Sequence, residues 1–465
     1  MKSLQERVTA LRPNLGVAIG LSALPFAIAI VLAFAVELVV GPAIGGTWSK
    51  ILLDVGIAIV LAGSLNVVNG FAGQFSIGQA GFMLVGAYAS AWLTFYGSIH
   101  WFGVKGDVVG GFLGGGQLLF LTGCLLGGVL ASVFGLIVGL PSLRLRGDYL
   151  AIVTLGFGEI VRVLGQITAR QPKNFDQIKD TSMFDLANKL GGAEGFSQIP
   201  GYTSGGTGAA MFFVFLFAFI LLILTYRLKY SSKGRALLAV RENEIAAEAM
   251  GVDTTRAKVV AFVFSAFFAG VGGALYAHQV MTIDPKELGF QKSFDLVIIV
   301  VIGGMGSITG VVLGATTLVI LPEVFREFSD YRMIAYALAL ILVMILRPQG
   351  IMGVQELWEV KWSRLAWWQR GLANLKASSS RNVIAIAAFV AAVLGTFKIA
   401  PLVAGPLAIV LAFFGRKFAR THTDSGVGFA TGGFILGIVA LLLGLLGLYR
   451  GFFIFFGDNG VRLWW

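Results

Sequence analysis

Long apolar runs recur along this chain, and several exceed the ~20 residues that a helix needs to cross a bilayer. No single soluble core absorbs that much hydrophobic sequence. Of 465 residues, 57% are hydrophobic and 13% charged, against about 25% charged in an ordinary soluble domain. The expected class is an all-α polytopic membrane protein. The 63 glycines fit it, because small residues let membrane helices pack backbone to backbone.

Spans are expected near residues 15–40, 51–69, 82–98, 117–140, 149–168, 208–226, 259–280, 295–322 and 333–346. Basic residues beside the spans orient them: Arg144, Arg146, Arg347 and the island Arg227–Lys258 belong on the cytoplasmic side. With the N-terminus inside, the seventh crossing ends outside near Met281. Segment 295–322 must then be a hairpin or re-entrant element, broken at Gly303-Gly304-Met305-Gly306-Ser307, which suits a continuous helix poorly. The loop Ala169–Thr207 falls outside. It is long enough to be functional or disordered, and it offers a docking surface to an external ligand-delivery protein. The apolar run beginning at Leu15 is too long for a cleaved leader and reads as a retained first span.

The net charge of +11 follows from orientation. No basic stripe interleaved with aromatics points to nucleic acid. Cys124 stands alone, excluding an internal disulfide. His100, His278 and His422 are scattered, so no metal site is readable, and no cofactor is expected. No GxxxxGK[ST] phosphate loop occurs, so the chain does not supply its own ATPase. Beyond Gly353 the character changes. Residues 355–382 form a basic amphipathic linker with Trp358, Trp362, Trp367 and Trp368, suited to the membrane interface. Residues 383–465 form a further hydrophobic extension of no assigned role.

The basic island carries seven Lys or Arg residues and a short helix signal. Asn243 is a good N-cap, Glu244 favours the first turn, and Gly251 suits the left-handed stop. Ile245, Ala246, Ala249 and Met250 share one apolar face at helical spacing. Such a helix, with Arg235, Arg241, Glu244 and Glu248 around it, fits a coupling helix docking on an ATPase; it equally fits a surface helix resting on the membrane.

Three further sets are polar within apolar sequence. Glu159 falls mid-span, and Arg162 shares its helix face. The pair fits a structural ion pair better than a path lining. Asn66, Asn69, Gln74, Ser76 and Gln79 must face protein or water, and the glycines at 70, 73, 78 and 81 argue for a broken helix. Uncharged amides suit passage of a zwitterion; interhelical hydrogen bonding accounts for them nearly as well. An internal echo pairs Gly73-Gln74-Phe75-Ser76-Ile77-Gly78 with Gly304-Met305-Gly306-Ser307-Ile308-Thr309. Repeated halves with broken helices are typical of transporters, and chance in a Gly-rich sequence gives the same pattern.

Several segments in one order, GQFSIGQAGFMLVGAYASA, LRLRGDYLAIVTLGFGEIVRVL, GRALLAVRENEIAAEAMGVDTTRAKVVAFVFSAFFAGVGGALYA, IGGMGSITGVVLGA and ILRPQGIMG, strongly resemble the LivM-type permease of branched-chain amino acid ABC importers. The resemblance covers a core of about residues 45–354, after an N-terminal span within 1–44. It implies a subunit of the bacterial cytoplasmic (inner) membrane, not an enzyme, importing leucine, isoleucine or valine. It also implies a LivH-type partner permease, two ABC ATPase subunits and a periplasmic amino-acid-binding protein. The loop with Glu244, Ala247 and Gly251 matches the family's EAA-type coupling loop, which adds Ala247 to Arg241, Glu244, Glu248 and Gly251 as coupling residues. Gln79 stands where many relatives carry His, which removes a titrating group there. The nearest alternative cargo is urea or a short amide; a stand-alone channel or ion-coupled carrier is a different class.

Overall fold

The computed structural model describes residues 15–40, 46–104, 114–142, 149–172, 175–201, 210–324, 349–353 and 356–358, with single positions at 337, 341 and 344. The turn at Arg144 and Arg146, the crossing at 333–346 with Arg347, the linker 355–382 (save residues 356–358) and the extension 383–465 lie outside them. The chain divides into two units. The first spans Met1–Glu323 and Val343–Leu357; the second, Val324–Leu342 and Trp358–Trp465, is described only at isolated positions.

Thirteen helices are named among the described residues. They are α1 (Leu15–Ala35), α2 (Gly46–Asn66), α3 (Gln79–Phe102), α4 (Gly115–Ser142), α5 (Tyr149–Ile167), α6 (Phe175–Asp180), α7 (Met183–Leu186), α8 (Ala210–Tyr230), α9 (Ser232–Glu242), α10 (Glu244–Ala249), α11 (Thr254–Val280), α12 (Phe290–Gly303) and α13 (Ile308–Val324). Wide π-helical turns, Val36–Val40 and Val67–Phe71, continue α1 and α2. Among the described residues, seven helices are long and apolar enough to cross a membrane. The fold is all-α and polytopic.

The packing core is the triple contact of α3, α4 and α11. Here glycine replaces side-chain interdigitation, as membrane helices allow. A Cβ on Gly86 would lie 2.1 Å from the Gly270 carbonyl oxygen, and one on Gly270 would lie 2.5 Å from that of Gly127. Three backbones therefore meet at one point. Phe82 fills the adjacent layer, edge-on to Phe262 with ring centroids 5.5 Å apart.

Helix α11 starts at Thr254, five residues before the expected span, because the Asp253 carboxylate caps it by accepting from Arg256 N at 2.9 Å. Helix α9 is a second helix within the basic island, ahead of the expected short helix at 243–251. Its N-cap is Ser231, whose hydroxyl accepts from Gly234 N at 3.1 Å. The loop between α5 and α8 is held by contacts in its described parts. The Gln171 amide clasps the Ser197 backbone at 3.0 and 3.1 Å, Phe196 bridges Ile283, and Tyr96 donates to Lys189 O at 2.6 Å.

Candidate functional site

Both predicted helix breaks exist. Residues 72–78 separate the end of α2 from α3, and Gly304–Ser307 separates α12 from α13. The two stretches of the internal echo thus sit at equivalent interruptions. Gly304 and Gly306 have φ of +115° and +90°, values open to glycine and strained for other residues.

The breaks are tied to each other. The buried Asn66 side chain accepts from Gly306 N at 2.8 Å and donates to Ser307 O at 3.1 Å. Asn69 closes the first break locally, accepting from Ser76 N at 3.1 Å and donating to Ser76 O at 3.3 Å. Gln79 donates to Ser64 Oγ at 2.8 Å and Leu61 O at 3.3 Å, and accepts from Ser265 Oγ at 3.3 Å. Four of the five amide and hydroxyl residues are buried and hydrogen-bonded to protein; Gln74 is partly exposed. Their geometry is that of interhelical joints, which hold irregular backbone where lipid would not tolerate it.

A buried ion pair secures the second break. Glu356 is fully buried and Lys229, at the end of α8, is 9% exposed; the two side chains are in direct contact. The Glu356 carboxylate caps α13, accepting from Ile308 N at 2.9 Å, Thr309 N at 3.0 Å and Thr309 Oγ1 at 2.7 Å. Burial alone would push this carboxyl up. The Lys229 ammonium and these donors outweigh burial and hold it below the usual glutamate value. Lys229 also donates to Gly306 O at 3.0 Å. The segment before Glu356 satisfies the orphan carbonyls of α12, with Ile351 N on Ile302 O at 2.7 Å.

The loop carrying α9 and α10 lies beside these breaks. Asn243 caps α10 by accepting from Ala246 N at 3.0 Å, and Gly251 ends it with φ +85°. Glu244 reaches Lys258 on α11 at 2.5 Å, which pins the short helix. The apolar face points outward: Ile245 is 70% and Met250 85% exposed, while Ala247 packs inward at 5%. Glu248 is exposed. Arg241 turns inward, at the end of α9. Its Nη1 donates to Gly70 O at 2.9 Å, and it packs on Gly73 and Gly306. One side chain therefore touches both helix breaks while standing three residues before the start of α10.

Glu159 and Arg162 form a same-helix pair at 2.7 Å, each partly exposed. The second Glu159 oxygen accepts from Phe290 N, in the first turn of α12, at 3.3 Å. The pair thereby holds the start of the broken element against α5.

Lys229, Glu356 and Lys258 were missed by sequence reasoning. Two belong to the basic island, where orientation alone explains a positive charge, and their partners lie 127 and 14 residues away. Ser231, the α9 cap, was readable from its type and place. Among the described residues no three His, Cys, Asp or Glu side chains gather into a metal site.

The family model described as the branched-chain amino acid transport system / permease component matches residues 47–347. That is well over half the chain. The chain belongs to this permease family. It is similar to the high-affinity branched-chain amino acid transport system permease protein LivM of Salmonella typhimurium, 38% identical over 308 residues, covering 64% of this chain and 68% of that one. The LivM protein of Escherichia coli K12 matches with the same identity and coverage. LivH of Salmonella typhimurium is 30% identical over 181 residues, covering 38% of this chain and 56% of its own. No solved structure matches the chain. The protein is thus a multi-pass inner-membrane permease subunit, and its work is transport rather than catalysis.

Proposed function

We propose that this chain is the permease subunit of an ABC importer for branched-chain amino acids. A LivH-type permease completes the pathway, two ATPase subunits drive it, and a periplasmic binding protein delivers leucine, isoleucine or valine. The observation that carries the reading is the outward apolar face of α10. Ile245 and Met250 are large, exposed and rigidly mounted by two caps and the Glu244–Lys258 pair. A helix resting on the protein would bury that face. A helix-in-groove contact with a soluble partner uses such anchors.

In this reading, ATP-driven closure of the ATPases pushes α10. Arg241 passes the motion to Gly70, Gly73 and Gly306, and the two broken elements reorient. Arg241, Glu244, Ala247, Glu248 and Gly251 form the coupling unit. Asn66, Asn69, Gln74, Ser76 and Gln79 keep the breaks intact as they move, and Glu159 anchors the start of α12. The ordered outer loop receives the binding protein. The basic linker 355–382 and extension 383–465 follow the permease core.

The test is uptake of labelled leucine into vesicles holding this chain and its partners, with the ATPases omitted in one arm and the binding protein in another. Uptake that needs both supports the reading. Uptake by this chain alone makes it a carrier, and no uptake by the full set favours urea or short amides as cargo.

A further inference from the structure

Asp54 on α2, and Lys292 and Asp295 on α12, are ionisable groups on the spans that take no part in the joints above. Asp54 and Asp295 are exposed on the surface of the chain, and Lys292 is partly exposed. The Lys292 ammonium lies over the Tyr276 ring, 5.3 Å from its centroid, and acts electrostatically on both aspartates. Asp54 accepts from Gln279 Nε2 at 2.8 Å, while Gln279 Oε1 is buried with no hydrogen-bond partner among the described residues. Asp295 forms no hydrogen bond or ion pair among the described residues.

Their depth makes this exposure informative. Helix α12 ends at Gly303, beside the cytoplasmic Arg241–Gly306 contact. At a rise of 1.5 Å per residue, Asp295 stands about 12 Å and Lys292 about 16 Å above that end. The hydrocarbon layer is about 30 Å thick. Both groups therefore sit near or beyond mid-depth, where charged side chains face protein or a water-filled cavity rather than lipid.

The exposed arc of α12 is graded. Successive residues are 100° apart around a helix, so Phe290 and Phe294 stand together, Gln291 follows, then Asp295, with Lys292 at the margin. The two Phe rings pack against each other, tilted by 38°, with centroids 5.8 Å apart. One side of the arc is aromatic and the other carries opposite charges three residues apart.

We propose that this arc, with Asp54, is a substrate subsite near the middle of the path, shaped for an apolar α-amino acid. Lys292 receives the carboxylate, Asp295 receives the ammonium, and Phe290 with Phe294 receives the aliphatic side chain. Asp54 and Gln279 bound the charged end. The proposal rests on the transport reading above and deepens it.

The complete transporter in proteoliposomes tests it by two readouts. Cys124 is the only cysteine of this chain and is buried, so with partner subunits stripped of cysteine Asp295→Cys offers one accessible thiol to a membrane-impermeant, quaternary-ammonium methanethiosulfonate. The thiol is expected to react, and more slowly with leucine-loaded binding protein cycling. Asp295→Asn and Lys292→Gln are each expected to lower leucine uptake per ATP hydrolysed about 10-fold, the scale of a lost charged contact. A thiol that is inert with and without ATP overturns the proposal, as does unchanged uptake per ATP. Failure of Asp295→Asn to assemble with the partner permease also overturns it, because the face is then an interface between subunits. If the wild type moves no leucine, the transport reading fails on its own; a reactive thiol then still marks a water-filled face.

Discussion

Replacing Glu356 by Gln removes one charge from a site that holds two, and its cost follows from the contacts. Lys229 stays behind at 9% exposure without a counter-ion, its partners reduced to Gly306 O, the Phe71 ring and the neutral amide oxygen. Breaking a buried pair from one side costs about 3–5 kcal/mol, because the remaining ion is desolvated and unpaired. The amide keeps one acceptor for Ile308 N. Its NH2 then meets the Thr309 N–H and hydroxyl, both donors toward Glu356, which adds the loss of a helix cap, about 1 kcal/mol. We expect Glu356→Gln to lower the stability of the purified chain by about 4–6 kcal/mol. Adding Lys229→Met removes the stranded charge, so the double variant should recover about 2 kcal/mol relative to Glu356→Gln alone. Unfolding in detergent followed by circular dichroism reads both. A single-variant loss below about 0.5 kcal/mol, the range of ordinary surface changes, would refute the account of the joint. So would a double variant that simply sums the two single losses.

Other expectations follow from the same contacts. The Glu356 carboxyl is held below its ordinary value of 4.5, so its contribution is present above that value and is lost as pH falls through the lower folded pKa. Wild type should lose stability on acidification below about pH 4.5, and Glu356→Gln should show a shallower fall over the same range; equal slopes would contradict it. Ile245→Asp with Met250→Asp should leave the fold within about 0.5 kcal/mol, because both side chains are exposed, yet abolish binding of the ATPases in a pull-down. Gly251→Val should cost about 1–2 kcal/mol from left-handed strain, whereas Gly251→Asn should be tolerated better, since Asn enters the left-handed region far more readily than a β-branched residue and nothing lies within 4 Å of an added Cβ; equal stability of the two variants would show that the turn is not constrained. Glu244→Lys faces the buried Lys258 and should uncouple ATP hydrolysis from uptake with insertion intact, so normal uptake would remove the coupling role.

What the sequence made legible is what local rules or the bilayer enforce. Span positions follow from hydropathy, because lipid forces every backbone group into a helix or against protein. The cap at Asn243 and the stop at Gly251 were readable because caps depend on a few neighbouring residues. The break at Gly303–Ser307 was readable because four polar or small residues interrupt an apolar run. Tertiary partners were not. Asn66 meets Gly306 across 240 residues, and Lys229 meets Glu356 across 127; only folding brings such groups together. The outward direction of the Ile245–Met250 face was also hidden, because helical spacing groups residues on a face without saying what the face meets. Helix α12 begins at Phe290, ahead of the expected 295, since Gln291, Lys292 and Asp295 depress the hydropathy of a segment that is nonetheless helical.

The central claim is that α10 is the contact through which a separate ATPase drives this permease. A photo-crosslinking residue at position 250, in the assembled transporter, tests it most directly. The account predicts a covalent adduct with an ATPase subunit whose yield changes between the nucleotide-free and ATP-bound states. Adducts with lipid alone, or none with an ATPase in either state, would contradict it.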